Sequence, residues 1–330
     1  MRIHRFAAPV APGLLFIILA ACSSSPPTGG AAIPAVSAPH AAGAPAALPK
    51  EPIVVTYDTA NDSLAYWPMQ RGGSQSQPTA LSAPLGLGNV YALAADGDVM
   101  VIANYNPAEL VTYDLKTKAE HMMSDPYGGP VDVAVGKDGS YYALNLTNVV
   151  VFKPGSSQPS ELICSKINLG ESIAVDNEGD VFVDGYGPAS FMGVVEYPAG
   201  STKCNVLHIR KQHGYTGGIG VDPKTDDLIV VDDPSLCAGG LEGLMLIYPK
   251  PYEERNAVRR VLGATYCAAN FRLDAGSKHI LYGDASVSAG VPIIDQSRYP
   301  SARSEGQYWE GYFASGAFSG FTTIPNTLPN

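Results

Sequence analysis

Residues 51–330 repeat themselves. A short strand, a tight Asp/Gly turn and a second strand recur as Leu93-Ala-Ala-Asp-Gly-Asp-Val-Met-Val101, Val133-Ala-Val-Gly-Lys-Asp-Gly-Ser-Tyr-Tyr142, Ile173-Ala-Val-Asp-Asn-Glu-Gly-Asp-Val-Phe-Val183 and Ile219-Gly-Val-Asp-Pro-Lys-Thr-Asp-Asp-Leu-Ile-Val230, with a weaker copy from Phe271 to Tyr282. The turn positions Gly97, Gly139, Gly179, Asp226 and Gly276 lie 42, 40, 47 and 50 residues apart. An aromatic in a later strand (Tyr66, Tyr113, Phe152, Tyr197, Tyr248) recurs at 47, 39, 45 and 51. Two independent markers therefore share a period of about 45 residues. Such a unit cannot bury its apolar faces alone and must stack on copies of itself.

The runs inside each unit, such as Ile53–Tyr57, Val149–Phe152 and Leu228–Val231, are short and rich in β-branched and aromatic residues. They read as strands, and no segment of this region carries a long helical period. A period near 45 fits a β-propeller blade of four antiparallel strands, which over 280 residues predicts an all-β, six-bladed propeller. The first copy, from Ile53 to about Ser82, lacks its innermost strand, whereas Ser319–Pro325 is a spare strand at the other end. The expectation is that this C-terminal strand completes blade 1 and closes the ring, hiding the edges of an open sheet.

Segments such as Glu178-Gly-Asp-Val-Phe-Val-Asp184 and Gly193-Val-Val-Glu-Tyr-Pro-Ala-Gly-Ser201 resemble the NHL-repeat propellers and their gluconolactonase-like relatives. The resemblance covers about residues 51–325 and implies architecture more than function, because this fold hosts binding modules, lactonases and lyases. Gluconolactonase-like enzymes hold a divalent metal on the axis with Glu, Asn and Asp at the starts of innermost strands. Alignment on the Asp/Gly turns puts Val90, Asp132, Ser172, Gly218 and Asn270 at those positions. Asp132 and Asn270 could ligate calcium or another divalent metal, with Glu171 one residue out of register. The Pro-Asn-Gly and Pro-Asp-Gly signatures of those enzymes are absent.

The second strand of each blade ends near an acid or amide: Asp58, Asn104, Asn145, Asp184, Asp232 and Asp284. In a propeller these ends share one face. They form either a polar ring able to hold a cation or a hydroxyl-rich ligand, or a set of caps that bond their own turns. His208 and His213 are not spaced as a metal pair and read as a solvated strand end. Gly316-Ala-Phe-Ser-Gly320 has its serine one place late for a nucleophile elbow. Gly86-Leu-Gly88 lacks the third glycine of a dinucleotide loop. In Tyr308-Trp-Glu-Gly-Tyr-Phe313 the aromatics read as packing for an outer strand rather than a ligand platform.

Leu19-Ala-Ala-Cys22 ends an apolar run, Val10–Ala21, behind Arg2, His4 and Arg5. The run is too short to span a bilayer, which takes about 20 residues. The tetrapeptide resembles the lipobox of bacterial lipoproteins. That resemblance implies a cleaved signal over 1–21, a lipid on Cys22 and residence in the cell envelope, at the outer membrane if the host has one. Ala, Pro, Ser and Gly fill 22 of the 28 positions 23–50, so 22–50 is a lipidated cysteine plus a disordered linker to the domain at 51–330. Loss of Arg2 and Arg5 takes the net charge from −10 to −12. An acidic chain with no basic cluster argues against a nucleic-acid partner.

Four further cysteines, Cys164, Cys204, Cys237 and Cys267, allow three pairings in an exported chain. Blade topology favours Cys237–Cys267, leaving Cys164–Cys204. The expected function is a monomeric, lipid-anchored envelope propeller that binds an extracytoplasmic protein or glycan. The alternative is a metal-dependent lactonase or lyase using Asp132 and Asn270.

Overall fold

The computed structural model describes residues 51–324 except 75–76, 157, 210–214, 234–241, 254–255, 265–267, 275, 285–292 and 310–319. The described strands form six sheets arranged as blades. Blade 2 runs outward through Val90–Asp96, Val99–Asn104, Glu109–Asp114 and Glu120–Ser124. Blade 3 uses Asp132–Val135, Tyr141–Leu144, Asn148–Phe152 and Ser160–Ile163. Blade 4 uses Leu169–Val175, Val181–Tyr186, Met192–Tyr197 and Asn205–Val206. Blade 5 has Tyr215–Val221, Leu228–Asp233, Glu242–Tyr248 and Val258–Ala264. Blade 6 has Ala268–Leu273, His279–Asp284, Ile293–Arg298 and Arg303–Trp309.

Blade 1 is built from both ends of the chain, as expected. Phe321–Ile324 is its innermost strand and pairs antiparallel with Ile53–Asp58, followed by Ser63–Pro68 and Thr79–Ala80. The junction also has a second part that the repeat did not announce. Gly72–Ser74 leaves blade 1 and adds a parallel fifth strand to the outer edge of blade 6, Gly72 opposite Gly306 and Ser74 opposite Tyr308. The backbones approach so closely that a Cβ on Gly73 would lie 2.0 Å from the Gln307 carbonyl oxygen, and one on Gly306 would lie 2.2 Å from Gly72. Glycine is required at both positions. Each end blade thus donates a strand to the other.

Among the described residues there is no single core. Six apolar clusters fill the six junctions between neighbouring blades. This explains why all six residues of Ile53–Asp58 are buried: a blade has a neighbour on each face. Tyr308 is fully buried with its ring centroid 5.8 Å from that of Trp67, so this aromatic packs the seam between blades 6 and 1. The repeated turns place Gly97, Gly139, Gly179 and Asp226 at positive φ; in blade 6 the left-handed residue is Ser277, one place after Gly276.

Cys164, at the outer end of blade 3, is bonded to Cys204, just before the outer strand of blade 4. This pair was the remainder of the expected pairing. Cys237 and Cys267 lie outside the described residues, as do Cys22 and the leader and linker expected over 1–50.

Candidate functional site

The second strands all end on one side of the ring, here called the upper face; the Asp/Gly turns lie on the lower face. Two members of the expected polar ring bond nearby backbone amides, and of these Asp58 caps its own turn. Asp58 accepts from the Ala60 and Asn61 amides at 2.9 and 3.1 Å. Asn104 accepts from the Asn89 amide at 3.0 Å and donates to Glu109 at 2.8 Å. Asn145 differs. It donates to Asp125 at 3.2 Å and to Asn148 at 2.8 Å, yet it is 3% exposed and its Oδ1 has no hydrogen-bond partner. Asp184 and Asp232 are buried. Asp284 and Asn270 occupy the expected upper strand positions, but their side chains lie outside the description.

Near the upper face the innermost strands of blades 2, 4, 5 and 6 each carry one extra residue against the neighbouring strand. Bulges re-aim side chains at the rims of such structures. In blade 4 the extra residue is Glu171, which explains why it read as out of register. In blade 2 it is Tyr91. Burial, and secondarily the charge of Asp184, pushes the Glu171 carboxyl up to about 9. A carboxyl raised in this way binds its proton more tightly folded than unfolded. Its contribution therefore makes folding stability fall as pH rises from about 4.5 to about 9. Glu171→Gln is expected to flatten that slope. Near pH 8 it should melt above the parent by at least about 2–4 °C, the shift 1 kcal/mol produces in a domain near this size. Thermal unfolding from pH 5 to 9 checks this; parallel profiles would refute it.

Asp132 does lie at the axis, but its oxygens are fully used. Oδ1 accepts from the Val133 amide at 2.8 Å and from Arg272 Nη2; Oδ2 accepts from Ser172 Oγ at 3.1 Å and the Ile173 amide at 3.0 Å. A carboxylate has about four lone-pair sites, and here four donors fill them. Arg272 belongs to blade 6, opposite blade 3 in the ring, and its Nε also donates to the Leu93 carbonyl in blade 2 at 3.1 Å. Ser172 Oγ accepts from the Ile219 amide of blade 5 at 3.1 Å. One network therefore crosses the axis and ties blades 2 to 6. A guanidinium already supplies the positive charge that a metal would bring, so Asp132 is built as a structural acceptor.

On the lower face, Asp176, Glu178 and Asp180 of the blade 4 turn hold carboxylates within 4.8 Å of one another. Lys250 of blade 5 occupies that cluster, 2.8 Å from Asp176 and 3.0 Å from Glu178. Partial burial works against its charge, but these hydrogen bonds hold its ammonium above the usual lysine range. The Asp-x-Glu-x-Asp spacing was a signal the sequence reading passed over, and the structure makes it a lock between blades. At the seam, a lower-face cleft of about 320 Å³ is lined by Arg71, His279, Gln296 and Glu305, with His279 Nδ1 2.6 Å from Glu305. A groove of about 660 Å³ between the outer strand of blade 2 and the loops of blade 3 is lined by Met122, Met123, Tyr141, Phe152 and prolines, with His121 and Lys153 also on its walls. His208 is exposed, as expected, and His213 lies outside the described residues.

The feature sequence reasoning missed is an aromatic strip on the upper face. Tyr91 packs 5.1 Å between ring centroids, at a 43° tilt, against Tyr105, which follows Asn104. Gly129 abuts that ring: a Cβ there would lie 2.7 Å from Tyr105 Cδ2. The same loop carries Tyr127, and a Cβ on Gly128 would lie 3.1 Å from the Asn145 amide carbon. Leu146 follows, and its carbonyl accepts from the Gly170 amide at 2.7 Å, beside Glu171. Tyr91, Tyr127 and Leu146 are 42%, 44% and 37% exposed. Their signal was available in Asn104-Tyr-Asn106 and Pro126-Tyr-Gly-Gly129, where aromatics sit in connecting loops rather than strands.

No family model matches the sequence, and no curated protein matches it. Among solved structures, a chain from the crystal structure of a nidogen/laminin complex is similar with a TM-score of 0.65 at 14% identity, covering 83% of this chain and 99% of that one. The crystal structure of TolB from Acinetobacter baumannii is similar with a TM-score of 0.53 at 11% identity, covering 78% and 66%. At such identities the likeness extends to the fold alone. What it shows, together with the strand topology, is a six-bladed β-propeller.

Proposed function

We propose that this chain is an NHL-type, lipid-anchored propeller of the bacterial cell envelope, and that it binds an extracytoplasmic protein or glycan through its upper face. The observation that carries the reading is the exposed strip of Tyr91, Tyr127 and Leu146 running beside the polar strand ends of blades 2 to 4. Tyrosines exposed together on a rigid scaffold are enriched at recognition surfaces, because they present large contact area at low entropic cost. Laminin is named as a partner in the nidogen structure, which supports a propeller acting as a docking body. The metal-dependent lactonase alternative draws no support from Asp132, whose four acceptor sites are filled.

The test is site-specific photo-crosslinking in intact cells. A photoreactive residue at position 127 is expected to give a higher-mass adduct, and one at Lys137 in a lower-face turn none. No adduct from 127, or equal adducts from both, would overturn the reading. The anchor is checked by Cys22→Ser, which should move the protein out of the membrane fraction; unchanged detergent partitioning would refute it.

A further inference from the structure

The charge around the aromatic strip is one-sided. Glu109, Asp125 and Glu161 flank it, and Asp184 lies buried beside it, in blades 2 to 4. Among the described upper loops of these three blades, Lys166 is the cation. Three of the acids are held by amides of the strand ends: Asn104 donates to Glu109, Asn145 to Asp125 and Asn148 to Glu161, at 2.8, 3.2 and 2.5 Å. Their carboxylates are thus fixed in place rather than swinging in solvent. Beneath the Tyr127–Gly129 loop, Asn145 Oδ1 is a buried acceptor with no donor. Aromatic faces and fixed carboxylates favour the same chemistry: a cationic group rich in N–H donors.

We propose that the strip of Tyr91, Tyr105, Tyr127 and Leu146 docks an extended, Arg- and Lys-bearing segment of a partner protein. The proposal rests on the upper-face reading above and narrows its occupant. The strip runs from the inner strand of blade 2 over the loop that follows that blade to blade 3, so it suits a chain rather than a compact small molecule. Arginine side chains stack on the tyrosines, while their guanidinium N–H groups reach the flanking carboxylates. An anionic lipid surface or nucleic acid would meet the same carboxylates with like charge.

The test uses the full chain purified in detergent and three probes: an alternating Arg-Gly decapeptide, its Glu-Gly counterpart and a neutral chitin hexasaccharide. The Arg-Gly peptide is expected to bind, more weakly as salt rises, and the other two are not. Tyr91→Ala and Tyr127→Ala should each weaken binding about fivefold or more, the effect of an interface anchor. Glu109→Gln and Glu161→Gln, which keep shape and lose charge, should weaken it and shrink its salt dependence. Glu120→Gln, on an outer strand at the other end of blade 2, makes the same change in net charge and should leave it unaltered. Two results would overturn the proposal: no binding of the basic peptide, or binding indifferent to the two tyrosines. If the hexasaccharide binds instead and loses affinity in Tyr127→Ala, the basic-segment proposal falls while the upper-face reading stands. Crosslinking from position 127 without basic-peptide binding separates the two in the same way.

Discussion

A chain ending at Gly311 is expected to lose cooperative folding, whereas one ending at Thr327 should melt with the full chain. The two chains differ by residues 312–327, which include Phe321–Ile324, the inner strand of blade 1. All four of its residues are buried. Phe321 packs in the cluster between blades 6 and 1, and Ile324 in the cluster between blades 1 and 2. Burying such side chains is worth roughly 1.5–3 kcal/mol each, before the ladder hydrogen bonds to Ile53–Thr56 are counted. Losing both apolar anchors and the ladder approaches the 5–15 kcal/mol that typically separates folded from unfolded states. It also uncovers an edge beside Val54 and Val55, both fully buried in the closed ring, and an apolar edge invites pairing with other chains. Thermal unfolding and light scattering of the two truncations beside the full chain check this. Equal midpoints for all three would mean that the ring closes without the strand. The parallel Gly72–Ser74 strand on blade 6 would then have to carry the seam.

The closure was readable because it is a matter of counting. A first copy short of one strand and a last copy followed by a spare leave one arrangement in a closed ring. The parallel strand at Gly72–Ser74 was not readable for the complementary reason. It is short, lies outside the repeat, and depends on a backbone approach that only glycine permits, so it has no hydrophobic period to detect. The polar strand ends show the same divide. Their position followed from the repeat, but their task did not. Asp58 and Asn104 bond their own surroundings, while Asn145, from an equivalent position, keeps an unpaired oxygen. Only the neighbouring loops distinguish them, and those loops are the non-repeating part of the chain. Tyr91 and Glu171 illustrate a finer limit. Both are the extra residue of a bulge, and a bulge shifts register by one, so alignment on the turns picked Val90 and Ser172 instead.

Arg272 could not be chosen from sequence because its partner is 140 residues away in the opposite blade. Arg272→Met is expected to destabilise by about 3–5 kcal/mol, the usual cost of stranding one member of a buried ion pair, and so to lower the melting temperature by roughly 10 °C. Methionine preserves much of the side-chain volume, so the loss reports charge and hydrogen bonding rather than a cavity. Asp132, 1% exposed, would keep its Ser172, Val133 and Ile173 donors but lose its counter-charge. Arg272→Met combined with Asp132→Asn should recover a large part of the loss, because the amide removes the stranded charge; coupling between contacting residues is what such a cycle measures. A drop below about 2 °C for Arg272→Met would show that the axis does not depend on this pair. Calcium separates the structural role from a metal site. If Asp132 were a metal ligand, millimolar calcium would raise the melting temperature of the parent chain, since a ligand that binds only the native state stabilises it. The filled coordination of Asp132 predicts no rise in the parent. Arg272→Met, with the guanidinium gone and one acceptor site open, is the variant in which a calcium-dependent gain should first emerge.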